Sequence, residues 1–193
     1  LIFLHGFGDA GDYWKELTEL LVRGLPGGCK VVLPNAPSRR FLISGEEKKV
    51  TAWFEPRMKQ TREESLSENL CAPSTSVPWK CGGIDAAVSW IRALIAEQEA
   101  KGALPGSVVL GGFSQGAGLA MAAAAAESAW SPVVGGVLCL RGYLPVTQGT
   151  KLTKERAPPP PGVRPDDLPL LIAPPVLMCQ GGNDPVAPAE WGR

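Results

Sequence analysis

The chain has a single histidine, His5, among its 193 residues. It also has no C-x-x-C pair, no surplus of either charge, and no apolar run near the ~18 residues that a membrane-crossing helix requires. Each shortage removes a class of function. Lys+Arg 19 balances Asp+Glu 19, so no global field draws in nucleic acid or an anionic membrane. The five cysteines, Cys29, Cys71, Cys81, Cys139 and Cys179, are odd in number and scattered. That weighs against a disulfide framework and against a metal site. They read as reduced thiols of a cytoplasmic protein. Cys139 and Cys179, inside apolar runs, read as small buried hydrophobes.

What is present is enough for one ordinary domain spanning 1–193. Hydrophobic residues are 45% and charged residues 20%, which supports a packed core rather than a disordered chain. Short apolar runs at Leu1–Leu4, Cys29–Leu33, 107–111, Val133–Leu140 and Pro175–Gln180 read as five buried strands. Between them lie helical patterns. One is capped by Asp12 and carries Tyr13, Trp14, Leu17, Leu20 and Leu21. A second runs over Gly82–Glu99 with a stripe at Ile84, Ala87, Val88, Ile91, Leu94 and Ile95. A third follows at 115–129. Alternating strands and helices predict an α/β fold, a mostly parallel sheet with helices on both faces. Two excursions, 38–80 and 141–173, read as irregular, and excursions of that length are usually functional or disordered.

The densest signal is Val108-Val-Leu-Gly-Gly-Phe-Ser-Gln-Gly-Ala-Gly118. A β-rich run enters Gly112-Phe113-Ser114-Gln115-Gly116 and a small-residue helix leaves it. Gly-x-Ser-x-Gly between a strand and a helix is a nucleophile elbow, in which a sharp turn displays the serine above the sheet. Gly112 and Gly116 fit because a Cβ there would crowd the turn. Ser114 is the candidate nucleophile, and the Gln115 N–H points into the same space. The bland reading of Ser114 is a helix cap after a strand.

His5-Gly6-Phe7-Gly8-Asp9 follows the first strand, where open α/β sheets place their sites. Such a loop can offer the Phe7 N–H to an oxyanion, or it can simply be a tight turn that needs glycine. His5 precedes the loop and is expected to shape it rather than act as base. Asp184 lies 70 residues after Ser114 (184 − 114). That suits the acid of a triad in the order Ser, acid, His, and Asn183-Asp184-Pro185 suits a turn equally well. Neither G-x-G-x-x-G opening a helix nor the phosphate loop G-x-x-x-x-G-K-[ST] is expected in the chain, which weighs against a nucleotide-binding domain.

Leu4-His-Gly-Phe-Gly-Asp9, Pro34-Asn-Ala-Pro37, Trp53-Phe54, Gly111-Gly-Phe-Ser-Gln-Gly116, Gly142-Tyr-Leu-Pro145 and Gly181-Gly-Asn-Asp-Pro-Val186 occur in this order. In this the chain resembles the acyl-protein thioesterases, also called the phospholipase/carboxylesterase family, over nearly its whole length. The resemblance implies an α/β-hydrolase fold without a large cap domain. It also implies a cytoplasmic serine hydrolase that cleaves acyl thioesters of proteins, or esters of lipids and small acyl compounds, with no cofactor and no metal. Carried over residue by residue, Ser114 is the nucleophile and Asp184 the acid. The Phe7 and Gln115 N–H groups are the oxyanion donors. Phe41, Leu42, Trp53, Phe54, Trp79 and Leu144 are candidates to line an acyl channel or to be plain core.

The family histidine follows the acid, after one more strand, and those elements need about 30 residues. The chain is therefore expected to be truncated at both ends, lacking a C-terminal strand, a helix and the base. Such a fragment would be nearly inactive and would expose a sheet edge. Gln180 stands where the family often has His, a histidine that is not the base, so its loss is tolerable. Glu55 stands where the family usually has Asp, Arg141 where it has a small Ser, and connector 146–173 is longer and richer in proline. These last three departures bear on substrate preference, not on the fold. The alternative reading is a catalytically inactive α/β-hydrolase-like protein or binding module.

Overall fold

A computed structural model describes residues 1–43, 45–55, 82–125, 134–143 and 174–182. Four strands form one parallel sheet: β1 (Ile2–Leu4), β4 (Val109–Phe113), β5 (Gly136–Leu140) and β6 (Val176–Cys179), in the order β1-β4-β5-β6. The register sets Leu4 beside Gly112 and Leu140 beside Phe113 and Cys179. The C-terminal ends of these strands thus share one edge, from which the Ser114 turn leaves.

The expected strand at Cys29–Leu33 is reduced to a single bridge between Val32 and Ile2. Val32 exchanges hydrogen bonds of 2.9 Å with Leu1 and Phe3, and Pro34, which has no N–H to donate, follows at once. The excursion at 38–80 is not wholly irregular. β2 (Ser38–Ile43) and β3 (Glu46–Thr51) form an antiparallel hairpin in which Ile43 pairs with Glu46. Between these paired ends Gly45 sits at φ 82. A tight hairpin demands such a left-handed residue.

Among the described residues three α-helices accompany the sheet: α1 (Lys15–Val22), α2 (Ile84–Ala100) and α3 (Gln115–Ala125). The apolar stripe of α2 is buried as its spacing predicts, at Ile84, Val88, Ile91 and Ile95. It packs with Leu119, Ala120 and Ala123 of α3 over Ile2, Leu4, Leu110 and Val137. Alternation along β1 turns Phe3 to the other face, where its ring meets Trp14 at 5.1 Å. Helical structure therefore covers both faces.

The segment after the glycine loop differs from its expected form. Gly11–Trp14 is a 3-10 turn, and Asp12 lies inside it without capping α1. The leucine stripe does not pack as expected: Leu17, Leu20 and Leu21 are exposed and Thr18 is buried. Trp14 is the reason. Its indole is pinned between Phe3 and Phe113 and to Asp9, so the residue one turn on, Thr18, faces inward. Cys139 is buried as expected, whereas Cys179, on the outermost described strand, is exposed.

Candidate active site

Ser114 sits at φ 51, one of two non-glycine residues among those described with positive φ. A side chain tolerates that conformation only when its surroundings hold it there. Here the Ser114 N–H donates to the Leu140 carbonyl at 2.9 Å, tying the turn to β5. The Ser114 carbonyl accepts the Gly118 N–H at 3.0 Å, the first bond of α3. A Cβ on Gly112 would come within 2.6 Å of the Ala117 nitrogen, and one on Gly116 within 2.6 Å of the Leu4 carbonyl carbon. Both glycines are therefore steric necessities, and the close approach of Gly116 to Leu4 and His5 sets the elbow against the glycine loop.

That loop is held from several sides. The Gly8 N–H donates to Thr51 at 2.8 Å and the Asp9 N–H to Gly6 at 3.4 Å. The Phe7 N–H takes part in none of these turns. Asp9 accepts the Ala10 N–H at 2.8 Å and the Trp14 indole N–H at 2.6 Å, and its carbonyl accepts the Thr51 hydroxyl at 2.6 Å. Gln115 opens α3, so its N–H lies in the first helical turn, which has no intrahelical acceptor.

His5 is fully buried. Nδ1 lies 2.7 Å from the Gly6 carbonyl and Nε2 accepts the Ala36 N–H at 3.0 Å. These partners fix a neutral ring protonated on Nδ1. Burial pushes its pKa below the ordinary range; the bond to Gly6 and the nearby Asp9 offset that only in part. With both nitrogens occupied, His5 has none left to take a proton from Ser114. It shapes the loop, as the sequence suggested.

The Gln115 side chain was not foreseen as a structural part. Its Oε1 accepts the Trp53 N–H at 3.0 Å and its Nε2 donates to the Phe54 carbonyl at 2.9 Å. The Trp53 indole donates to the His5 carbonyl at 2.8 Å. Trp53 and Phe54 are thus core residues that join the elbow to the glycine loop. Phe54 has no exposed surface and Trp53 only 3%, which favours the core alternative for Phe54, while Trp53 also forms part of a cavity wall. A buried amide after a nucleophile is a sequence signal for such a clamp, but its partners are 62 and 61 residues away.

Phe41 is half-buried, edge-on to Phe7 at 5.4 Å, and Leu42 is exposed. The Arg141 guanidinium lies over Phe113, 6.0 Å from the ring centre, beside the Ser114 turn. Asp184, Leu144 and Trp79 lie outside the described residues. β6 does deliver the chain to the Ser114 edge: the Arg141 N–H donates to Cys179 at 2.8 Å, five residues before position 184 (184 − 179).

Gly6-Phe-Gly-Asp-Ala-Gly11 also carries the G-x-G-x-x-G spacing of dinucleotide loops. Its structure argues otherwise: Gly8 is bonded to Thr51, and Gly11 abuts Leu33 and opens a 3-10 turn rather than a phosphate-binding α-helix. Among the described residues no group of acidic, histidine and cysteine side chains could hold a metal ion, and no helix is long and apolar enough to cross a membrane.

Comparison with known proteins agrees with this geometry. Residues 1–159 match the family model described as phospholipase/carboxylesterase. The chain is 29% identical over 194 residues to acyl-protein thioesterase 1 of Kluyveromyces lactis, covering 100% of this chain and 72% of that protein. Among solved structures, SOBER1 of Arabidopsis thaliana superposes with a TM-score of 0.67 at 20% identity, covering 99% of this chain and 77% of that one. Acyl-protein thioesterase 2 of Zea mays gives 0.60 at 23%, covering 99% and 74%. The chain has the α/β-hydrolase fold and belongs to the phospholipase/carboxylesterase family, whose chemistry is the hydrolysis of esters and thioesters by a serine hydrolase.

Proposed function

We propose that this protein removes acyl groups from thioester-linked proteins, with Ser114 as nucleophile. The observation that carries the reading is the Ser114 turn: a strained, half-buried serine at the C-terminal sheet edge, over the first turn of α3 and against the glycine loop. Ser114 Oγ attacks the acyl carbonyl carbon. The resulting oxyanion is held by the Phe7 and Gln115 N–H groups, whose positions are set by the Asp9, Trp53 and Gln115 side-chain bonds. The thiolate leaves, and water then releases the acyl group from Ser114. Asp184 orients the histidine that carries the protons. His5 has no free nitrogen for that task, so the base is assigned to sequence outside these 193 residues. Thioester substrates are favoured over lipid esters by the names of the relatives, acyl-protein thioesterases. The described cysteines are free thiols, in keeping with a reducing cytoplasm.

The burial of the one histidine favours a second reading, a binding protein of the same fold without catalysis. A fluorophosphonate probe separates the two. The protein carrying its downstream sequence should label at Ser114 and lose all labelling in Ser114→Ala. Persistent labelling of the variant places the nucleophile elsewhere, and no labelling of the wild type supports the binding reading.

A further inference from the structure

A cavity of about 400 Å³ lies between the start of β2 and α2, and Ser114 is not among its lining residues. Pro37, Trp53, Ala86, Ala87 and Trp90 give it a mainly apolar wall. The Trp53 and Trp90 rings are 5.9 Å apart, and Trp90 is 45% exposed, an unusual state for so large an apolar ring. Two polar residues reach it, Asn35 and Arg39. The Asn35 Oδ1 is already used by the Gly11 N–H at 2.8 Å.

Arg39 is the feature that selects a ligand. Its Nε is buried with no hydrogen-bond partner among the described residues. Across the hairpin it faces Val50, while its neighbour Arg40 pairs with Glu47 at 3.2 Å. The nearby carboxylates, Glu55 beside Gly82 and Asp85 on α2, belong to exposed residues. Neither forms a salt bridge to Arg39 among the described residues. A guanidinium presents a planar fork that matches a carboxylate. A single fork set in an apolar wall matches one negative charge on an apolar body, in a cavity of ordinary ligand size.

We propose that this cavity binds a small amphiphilic monocarboxylate, with its carboxylate on Arg39 and its apolar body against Trp53 and Trp90. The proposal does not depend on the reaction proposed at Ser114, although the Trp53 wall is bonded to Gln115 beside that turn.

Calorimetric titration of octanoate into the 193-residue protein tests this, beside octanamide and inorganic phosphate. Octanoate should saturate one site. Removing one partner of a charge-assisted bond typically costs about tenfold or more in affinity, so octanamide, and octanoate on Arg39→Gln, should bind at least that much more weakly. Phosphate, which lacks the apolar body, should not saturate. Ser114→Ala should leave octanoate binding intact. Equal octanoate affinity in Arg39→Gln, equal affinity for octanamide, saturation by phosphate, or no saturable octanoate binding would each overturn the proposal. So would loss of binding in Ser114→Ala, which would place octanoate at the elbow. Circular dichroism checks that Arg39→Gln is folded. If it is not, Trp90→Ala carries the test, with the same weakening expected and unchanged affinity overturning the site.

Discussion

The His5 imidazole accepts the Ala36 N–H at 3.0 Å, so the one histidine of the chain is a structural strut between two loops. Its pKa is pushed below the ordinary value by burial. The unfolded chain then takes up a proton before the folded one does. Stability from the neutral ring is fully present above about pH 6.5, the ordinary histidine value, and is lost as pH falls below it toward the folded-state value. Urea midpoints should therefore drop between pH 7.5 and 5.5, and His5→Gln should remove part of that drop. An identical pH slope in the variant would mean that other groups cause it.

Gly112 and Gly116 should not accept alanine. Each added Cβ meets backbone, which cannot swing aside, and overpacking against backbone is expected to cost about 3 kcal/mol or more. Gly8→Ala is the control. That site has φ 73 with nothing within 4 Å, so only the left-handed conformation opposes a side chain, at about 1–2 kcal/mol. Denaturant unfolding of the three variants should separate them in that order.

Ser114→Gly should raise stability by about 1 kcal/mol while ending any reaction at this position, because glycine adopts φ 51 without strain. Thermal unfolding reads the gain. A midpoint at or below the wild-type value would show that the turn is not strained in the sense argued.

Gln115→Ala should cost about 2–4 kcal/mol, since it leaves the Trp53 N–H and the Phe54 carbonyl buried without partners. The near-ultraviolet circular dichroism of the tryptophans should change with it. A variant with unaltered stability and spectrum would show that water replaces the amide.

Local chemistry was legible from the sequence because it depends on near neighbours. The Ser114 turn follows from two glycines that leave room for backbone. The stripe of α2 follows from helical spacing over one face. The hairpin at 38–51 was missed because charges dominate Glu46–Lys49, although Ser44-Gly45 is a turn signal between extended runs. The leucines of α1 misled for a different reason: their spacing specifies a stripe, but Trp14, locked to Phe3, Phe113 and Asp9, fixes which way the helix turns.

The sequence by itself determined that a serine is displayed between a strand and a helix, and that His5 is the only histidine among these residues. Tertiary structure decided what that histidine and the neighbouring aromatic residues do. Burial and two fixed hydrogen bonds keep His5 neutral and occupied. Bonds spanning about sixty residues make Gln115 a clamp and turn Trp53 and Phe54 into core. Spacing cannot reveal such pairings, because a buried polar group takes whichever partner the fold brings within about 3 Å.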